Sequence, residues 1–268
     1  MWALDQLYVP RSERFFAATP RVMLAALAIG AGTARLLVEL AVLPPQAAGV
    51  AGVTAGHGAL LATALAWTGV GGAAQVLAVA LIGLAAAASH LGALGACAYA
   101  GPALWVAFLS ARGRITGLGL GTSVSPRPVA AGALVGVGLS AHLLLSASRS
   151  LGIHVRADHA PDMLVAIAYD IGANVLAAEC FFRGALFTRA ERRWSFPAAA
   201  TMATIAYVLR YLVDPLLPKS AGLMVGAVFY LALLGGINCW LVSWSGSLVP
   251  GLVSATIFFA AYRTLGAQ

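Results

Sequence analysis

Residues 163–188 read MLVAIAYDIGANVLAAECFFRGALFT. A hydrocarbon core about 30 Å thick takes about 20 residues of helix at 1.5 Å rise, and this run is long enough to cross it. The reading is a membrane-spanning helix, which makes its polar residues Asp170, Asn174, Glu179 and Arg183 the ones to explain. A charge at the bilayer centre costs about 2.5–3.5 kcal/mol even on insertion scales.

Outward from that run the chain keeps the same character. Of 268 residues 61% are hydrophobic and 9% charged, and the mean hydropathy is +0.90. Too few polar side chains exist to cover a soluble globule, which excludes a cytosolic enzyme. Further apolar runs span about residues 22–43, 51–71, 74–89, 92–111, 129–147, 197–213, 221–242 and 247–265. The expected fold is an all-α, polytopic membrane helix bundle of eight or nine transmembrane helices. The count turns on residues 51–111, where the breaks at Gly71-Gly72 and Ser89-His90 carry no charge.

Three segments are expected: an N-terminal cytoplasmic lead over 1–21, N-terminal transmembrane helices over 22–128, and a transmembrane core over 129–268. The first span starts too late and runs too long for the apolar region of a cleaved signal, so it reads as an anchor that stays. The polar connections at 112–128 and 148–161 divide the two sets of spans.

Sixteen Lys and Arg stand against nine Asp and Glu, a net charge of +7. Apart from Arg35, Arg183 and Arg210, which lie within spans, the cations sit at span ends without interleaved aromatics, so they report membrane orientation and no nucleic acid. With nine spans and the N-terminus inside, Arg11, Arg14, Arg21, Arg112, Arg114, Arg127, Arg189, Arg192 and Arg193 are cytoplasmic. Arg149, Arg156, Lys219 and Arg263 lie on the other side. This bias, with cations that are arginine except for Lys219, points to an integral protein of a bacterial cytoplasmic (inner) membrane.

Glu179 and Arg183 stand i,i+4 with the acid on the N-terminal side, the favoured orientation for a pair. About ten residues, or about 15 Å of rise, separate Glu179 from the charged end at Arg189, which puts the carboxylate near mid-membrane. An intramembrane ionisable residue is a functional candidate by default. The plainer reading is a self-neutralising pair that pins helix packing.

Other polar groups read as structural. His154, Asp158, His159 and Asp162 form a solvated loop whose i,i+5 histidines lack the spacing of a helical zinc pair. Ser245 reads as a loop residue and Gly117-Leu-Gly119-Leu-Gly121 as a flexible linker. Gly132 and Gly136 form a small-xxx-small face for close helix packing. Arg35 and Glu39 mask each other at i,i+4. Asp170 lies nine residues before Glu179, on the opposite face if every residue turns 100°. Arg210 either reaches Asp214 or points toward Glu179. Cys97, Cys180 and Cys239 show no disulfide or zinc spacing and read as packing residues. No cofactor and no metal site is expected.

Glu179-Cys-Phe-Phe-Arg183-Gly184, followed by Ala185-Leu-Phe and an arginine cluster, resembles the first motif, Glu-Glu-x-x-x-Arg, of the CAAX prenyl endopeptidase and bacteriocin-processing family of intramembrane proteases. Ile205-Ala-Tyr207-Val-Leu-Arg-Tyr211 is placed like its Phe-x-x-x-His helix. Gly246-Ser247-Leu248-Val249-Pro250 is similar to the opening of its last helix, which then presents His-x-x-x-Asn. The likeness covers about residues 163–265. It implies a membrane-embedded or lipid-modified protein tail as ligand and a site of Glu179, Arg183, Tyr211 and Ser254. In hydrolysis Glu179 would be the base or electrostatic element, Arg183 its orienter, and Tyr211 and Ser254 oxyanion donors.

Departures accompany the likeness. The first of the paired glutamates corresponds to Ala178, the second motif's histidine to Tyr211, and the third motif's histidine and asparagine to Ser254 and Phe258. No histidine follows His159, so no shift of alignment restores one. The expectation is a membrane-embedded homologue of CAAX-type endopeptidases with degenerate catalytic motifs. Its rivals are a non-catalytic scaffold or chaperone and, third, a small-solute transporter.

Overall fold

A computed structural model of the chain describes residues 20–121, 124–151, 160–212 and 221–265. In chain order the helices are α1 (Arg21–Glu39), α2 (Pro45–Trp67), α3 (Gly72–Ala88), α4 (Ala93–Ala111), α5 (Pro126–Leu151), α6 (Ala160–Glu191), α7 (Phe196–Leu212), α8 (Ala221–Ser245) and α9 (Val249–Arg263). Each coincides with one apolar run, and no β-strand occurs among the described residues. The polytopic helical bundle read from the sequence is the fold. Among the described residues seven helices are long and apolar enough to cross a membrane, and α9 is a shorter apolar helix.

Local chemistry sets the breaks. Pro44 and Pro45 open α2, Pro45 in the first turn, where no amide hydrogen is needed. Gly69 and Gly92, at φ +78° and +83°, turn the chain between α2 and α3 and between α3 and α4. The uncharged breaks within 51–111 are therefore true helix ends.

In α6 the geometry departs from the expectation. Asp170–Asn174 and Glu179–Phe187 are π-helical, with α-helical turns before, between and after them. A π turn bonds each N–H to the fifth carbonyl back, so 100° per residue does not relate Asp170 to Glu179.

Two compact units emerge. The first holds the described residues of Val9–Thr116 and Ala157–Ala178. Here α2 packs along α3, and α1 lies against α2 without burying any residue of its own. Arg35 and Glu39 pair as expected and stay more than half exposed. The backbones of α4 and α6 touch, since a Cβ on Gly172 would run into the Tyr99 carbonyl. His57 of α2 shares a 2.6 Å hydrogen bond with the Tyr169 hydroxyl, and the Asn174 amide donates to Asp170 at 2.8 Å.

The second unit holds the described residues of Gly117–Arg156 and Glu179–Gln268. Its tightest seam is α5 against α9. A Cβ on Gly132 would meet the Pro250 carbonyl, and one on Gly136 would lie 2.8 Å from the Ser254 carbonyl oxygen, so the two glycines serve the close packing read from their spacing. Ser140 donates to Gly136 O, and the His142 ring bonds the Tyr230 hydroxyl at 2.7 Å.

Two loop readings need correction. Gly117–Gly121 is no loose linker: Leu118 and Leu120 are buried, and the Leu248 amide donates to Gly119 O at 3.0 Å. Ser245 is the last residue of α8, and its hydroxyl donates to Leu241 O at 2.6 Å and accepts from the Ser247 amide at 3.1 Å. Helix termination accounts for it. The lead with Arg11 and Arg14, the loop with His154, Asp158 and His159, and Asp214 lie outside the described residues.

Candidate functional site

Glu179 opens the second π-helical segment of α6, and its carboxylate is 1% exposed; Arg183 is fully buried. One carboxylate oxygen, Oε1, lies 3.4 Å from Arg183 Nη1 and accepts from Asn238 Nδ2 at 3.2 Å. Asn238 also donates to the Gly251 carbonyl at 3.1 Å, so a single amide of α8 joins α6 to α9. Glycine at 251 makes the approach possible. A Cβ there would sit 3.1 Å from Glu179 Oε2 and 3.5 Å from the Asn238 side chain.

Aromatic residues enclose the guanidinium. Its Cζ lies 3.8 Å from the centre of the Tyr207 ring, close enough for a cation–π contact. Tyr207 makes edge contacts with Phe182 and Tyr211, and Tyr211 stacks on Phe259 of α9 at 5.6 Å. Gly235 of α8 leaves space for the other side of Arg183, since a Cβ there would lie 3.1 Å from Nη2.

The four residues singled out from the sequence fall into three positions. Glu179 and Arg183 meet directly. Tyr211 is buried in the aromatic row one ring beyond Tyr207, in edge contact with it at 5.0 Å between ring centres. Ser254 is buried on α9, one turn past Gly251, and its hydroxyl has no hydrogen-bond partner. Arg210 lays its guanidinium 4.3 Å from the Tyr211 ring centre, half-buried.

Several other buried atoms lack a partner: Glu179 Oε2, the three guanidinium nitrogens of Arg183 and Asn238 Oδ1. The 3.4 Å approach of Arg183 to Glu179 is an ion pair without hydrogen-bond geometry. Buried polar groups are normally satisfied, and each that is not costs about 1–3 kcal/mol. The centre thus carries hydrogen-bonding capacity that the protein itself leaves unused. Among the described residues no three His, Cys, Asp or Glu side chains converge as a metal would require.

Asn238 was not among the residues singled out. It is the lone amide in the apolar run 221–242, directly after Gly235-Gly236-Ile237, and that isolation is the signal that would have found it.

Fold and centre together define a polytopic helical membrane protein built around a buried carboxylate–guanidinium pair. Residues 160–260 match the family model described as Rce1-like, the Type II CAAX prenyl endopeptidase Rce1-like family. Over that stretch the chain is similar to this family, which bears out the resemblance read from its motifs. The comparisons with curated proteins and with solved structures found no match.

Proposed function

We propose that this CAAX-protease-like protein holds the membrane-associated tails of other proteins at its Glu179–Arg183 centre, in the cytoplasmic membrane of a bacterium, with catalytic motifs too degenerate for efficient hydrolysis. The core responsible is the segment 129–268. The observation that carries this reading is the state of Glu179. One oxygen is engaged by Asn238 and faces Arg183, and one is left.

Peptide hydrolysis needs a group that takes a proton from water and donors that hold the oxyanion, and loss of either costs orders of magnitude in rate. Here the neighbouring carboxylate position is Ala178 and the histidine positions are Tyr211 and Ser254. Tyrosine and serine hydroxyls donate hydrogen bonds but do not act as bases near neutral pH. Recognition survives that loss, because the unused donors of Arg183 and the acceptor on Asn238 suit polar groups of a polypeptide.

The test is a membrane-anchored, lipid-modified reporter tail co-expressed with wild type, Glu179→Gln and Arg183→Leu. The expected result is a tail of unchanged length in all three, captured by wild type and lost from Arg183→Leu. A tail shortened by wild type and left whole by Glu179→Gln would make the protein a peptidase and overturn the degenerate reading.

A further inference from the structure

The Gly117–Gly121 segment has no part in the chemistry above, yet it packs against two of the helices that form the centre. A Cβ on Gly184, the residue after Arg183, would lie 3.2 Å from both Leu118 Cβ and the Leu118 carbonyl. Leu118 therefore rests directly on the α6 backbone beside the guanidinium-bearing residue. At the next position Gly119 adopts φ +73°, and a Cβ there would lie 3.2 Å from Gly246 O and from the Leu248 amide nitrogen and 3.4 Å from Ser247 Cα. The Gly119 carbonyl accepts from the Leu248 amide at 3.0 Å, at the start of α9. Gly251, against which Glu179 Oε2 rests, comes one turn later.

The segment thus spans from α6 at Gly184 to the turn between α8 and α9. The Glu179–Asn238–Gly251 bridge crosses those same three helices. Leu118 is 1% exposed, and Glu179, Arg183, Asn238 and Ser254 on the bridged helices are buried as well. Among the described residues, what holds the segment down is non-covalent: one backbone hydrogen bond to Leu248 and the burial of Leu118 and Leu120. A contact of that kind is reversible.

We infer that Gly117–Gly121 is a strap that closes the Glu179–Arg183 centre, and that its release from Gly184 and Leu248 opens the seam to a protein tail. The identity of the tail rests on the function proposed above, whereas opening of the seam does not. Gly119 is what allows the strap to lie flat, since a side chain at that φ and that spacing is strained and crowded at once.

Two buried native thiols report on the seam. Cys180 follows Glu179 and Cys239 follows Asn238, both buried, while Cys97 is the exposed thiol. The experiment measures the rate at which a small water-soluble maleimide labels Cys180 and Cys239 in the full chain in nanodiscs, with Cys97→Ala throughout. Leu118→Gly is expected to raise that rate at least several-fold. A disulfide lock made from Leu118→Cys with Gly184→Cys, positions whose Cβ atoms would lie 3.2 Å apart, is expected to lower it below the parent and to release it on reduction.

Global unfolding also exposes thiols, but it cannot produce protection that reduction reverses, so the lock decides where Leu118→Gly folds poorly. Unchanged labelling in both the loosened and the locked protein would overturn the strap. If labelling responds but no reporter tail is captured by any variant, the strap stands and the tail-binding function falls.

Discussion

Among the described residues α6 supplies a π-helical turn to a polar cluster in each unit. In the first unit His57 bonds Tyr169 at 2.6 Å and Asn174 bonds Asp170 at 2.8 Å. In the second, Glu179, Arg183, Asn238 and Ser254 leave buried donors and acceptors idle. The same kind of residue, at similar depth in an apolar run, is thus used in two ways. A cluster that satisfies itself fastens helices together, whereas one left hungry has room in its hydrogen bonding for something else.

The sharpest way to break this contrast is to remove one member of the buried ion pair. Arg183→Leu leaves a carboxylate in the interior without its cation and should cost about 3–5 kcal/mol of stability. Arg183→Leu with Glu179→Leu should lose much less, because no lone charge remains. Thermal unfolding in detergent checks both, and a double variant as damaged as the single would mean that the pair is not a unit.

A smaller effect is expected in the satisfied cluster. Tyr169→Phe removes one hydrogen bond from His57 and should cost about 0.5–1.5 kcal/mol, with tail capture unchanged. If that variant loses capture while remaining folded, the division between fastening and functional clusters is wrong. The smallest effect belongs to Arg35 and Glu39, which are more than half exposed on α1. Exposed pairs contribute little, so Arg35→Ala should shift the melting temperature imperceptibly and leave capture intact.

Much of the architecture was legible because hydrophobic run length and glycine breaks act locally. Each helix follows from an apolar run, and Gly69 and Gly92 mark turns that no charge announces. Glu179 and Arg183 were legible for the same reason, since their spacing on one helix needs no tertiary knowledge. Three features were not. The π turns of α6 depend on how neighbouring helices pull a carbonyl out of register, which residue type does not encode. Asn238 matters through a helix distant in sequence. Leu118 reads as linker because glycines flank it, while its burial comes from Gly184 and the α8–α9 turn.

The placement of Glu179 and Arg183 on a single helix bears on how the molecule is made. α6 enters the membrane during synthesis before α8 and α9 exist to contribute Asn238 and Gly251. An acid and a base one turn apart travel through the insertion machinery as a net-neutral dipole, sparing the nascent segment part of the toll that each charge would impose by itself. The centre is therefore assembled in two acts, with its electrostatics settled while the chain is still growing and its hydrogen bonding completed once the last helices arrive.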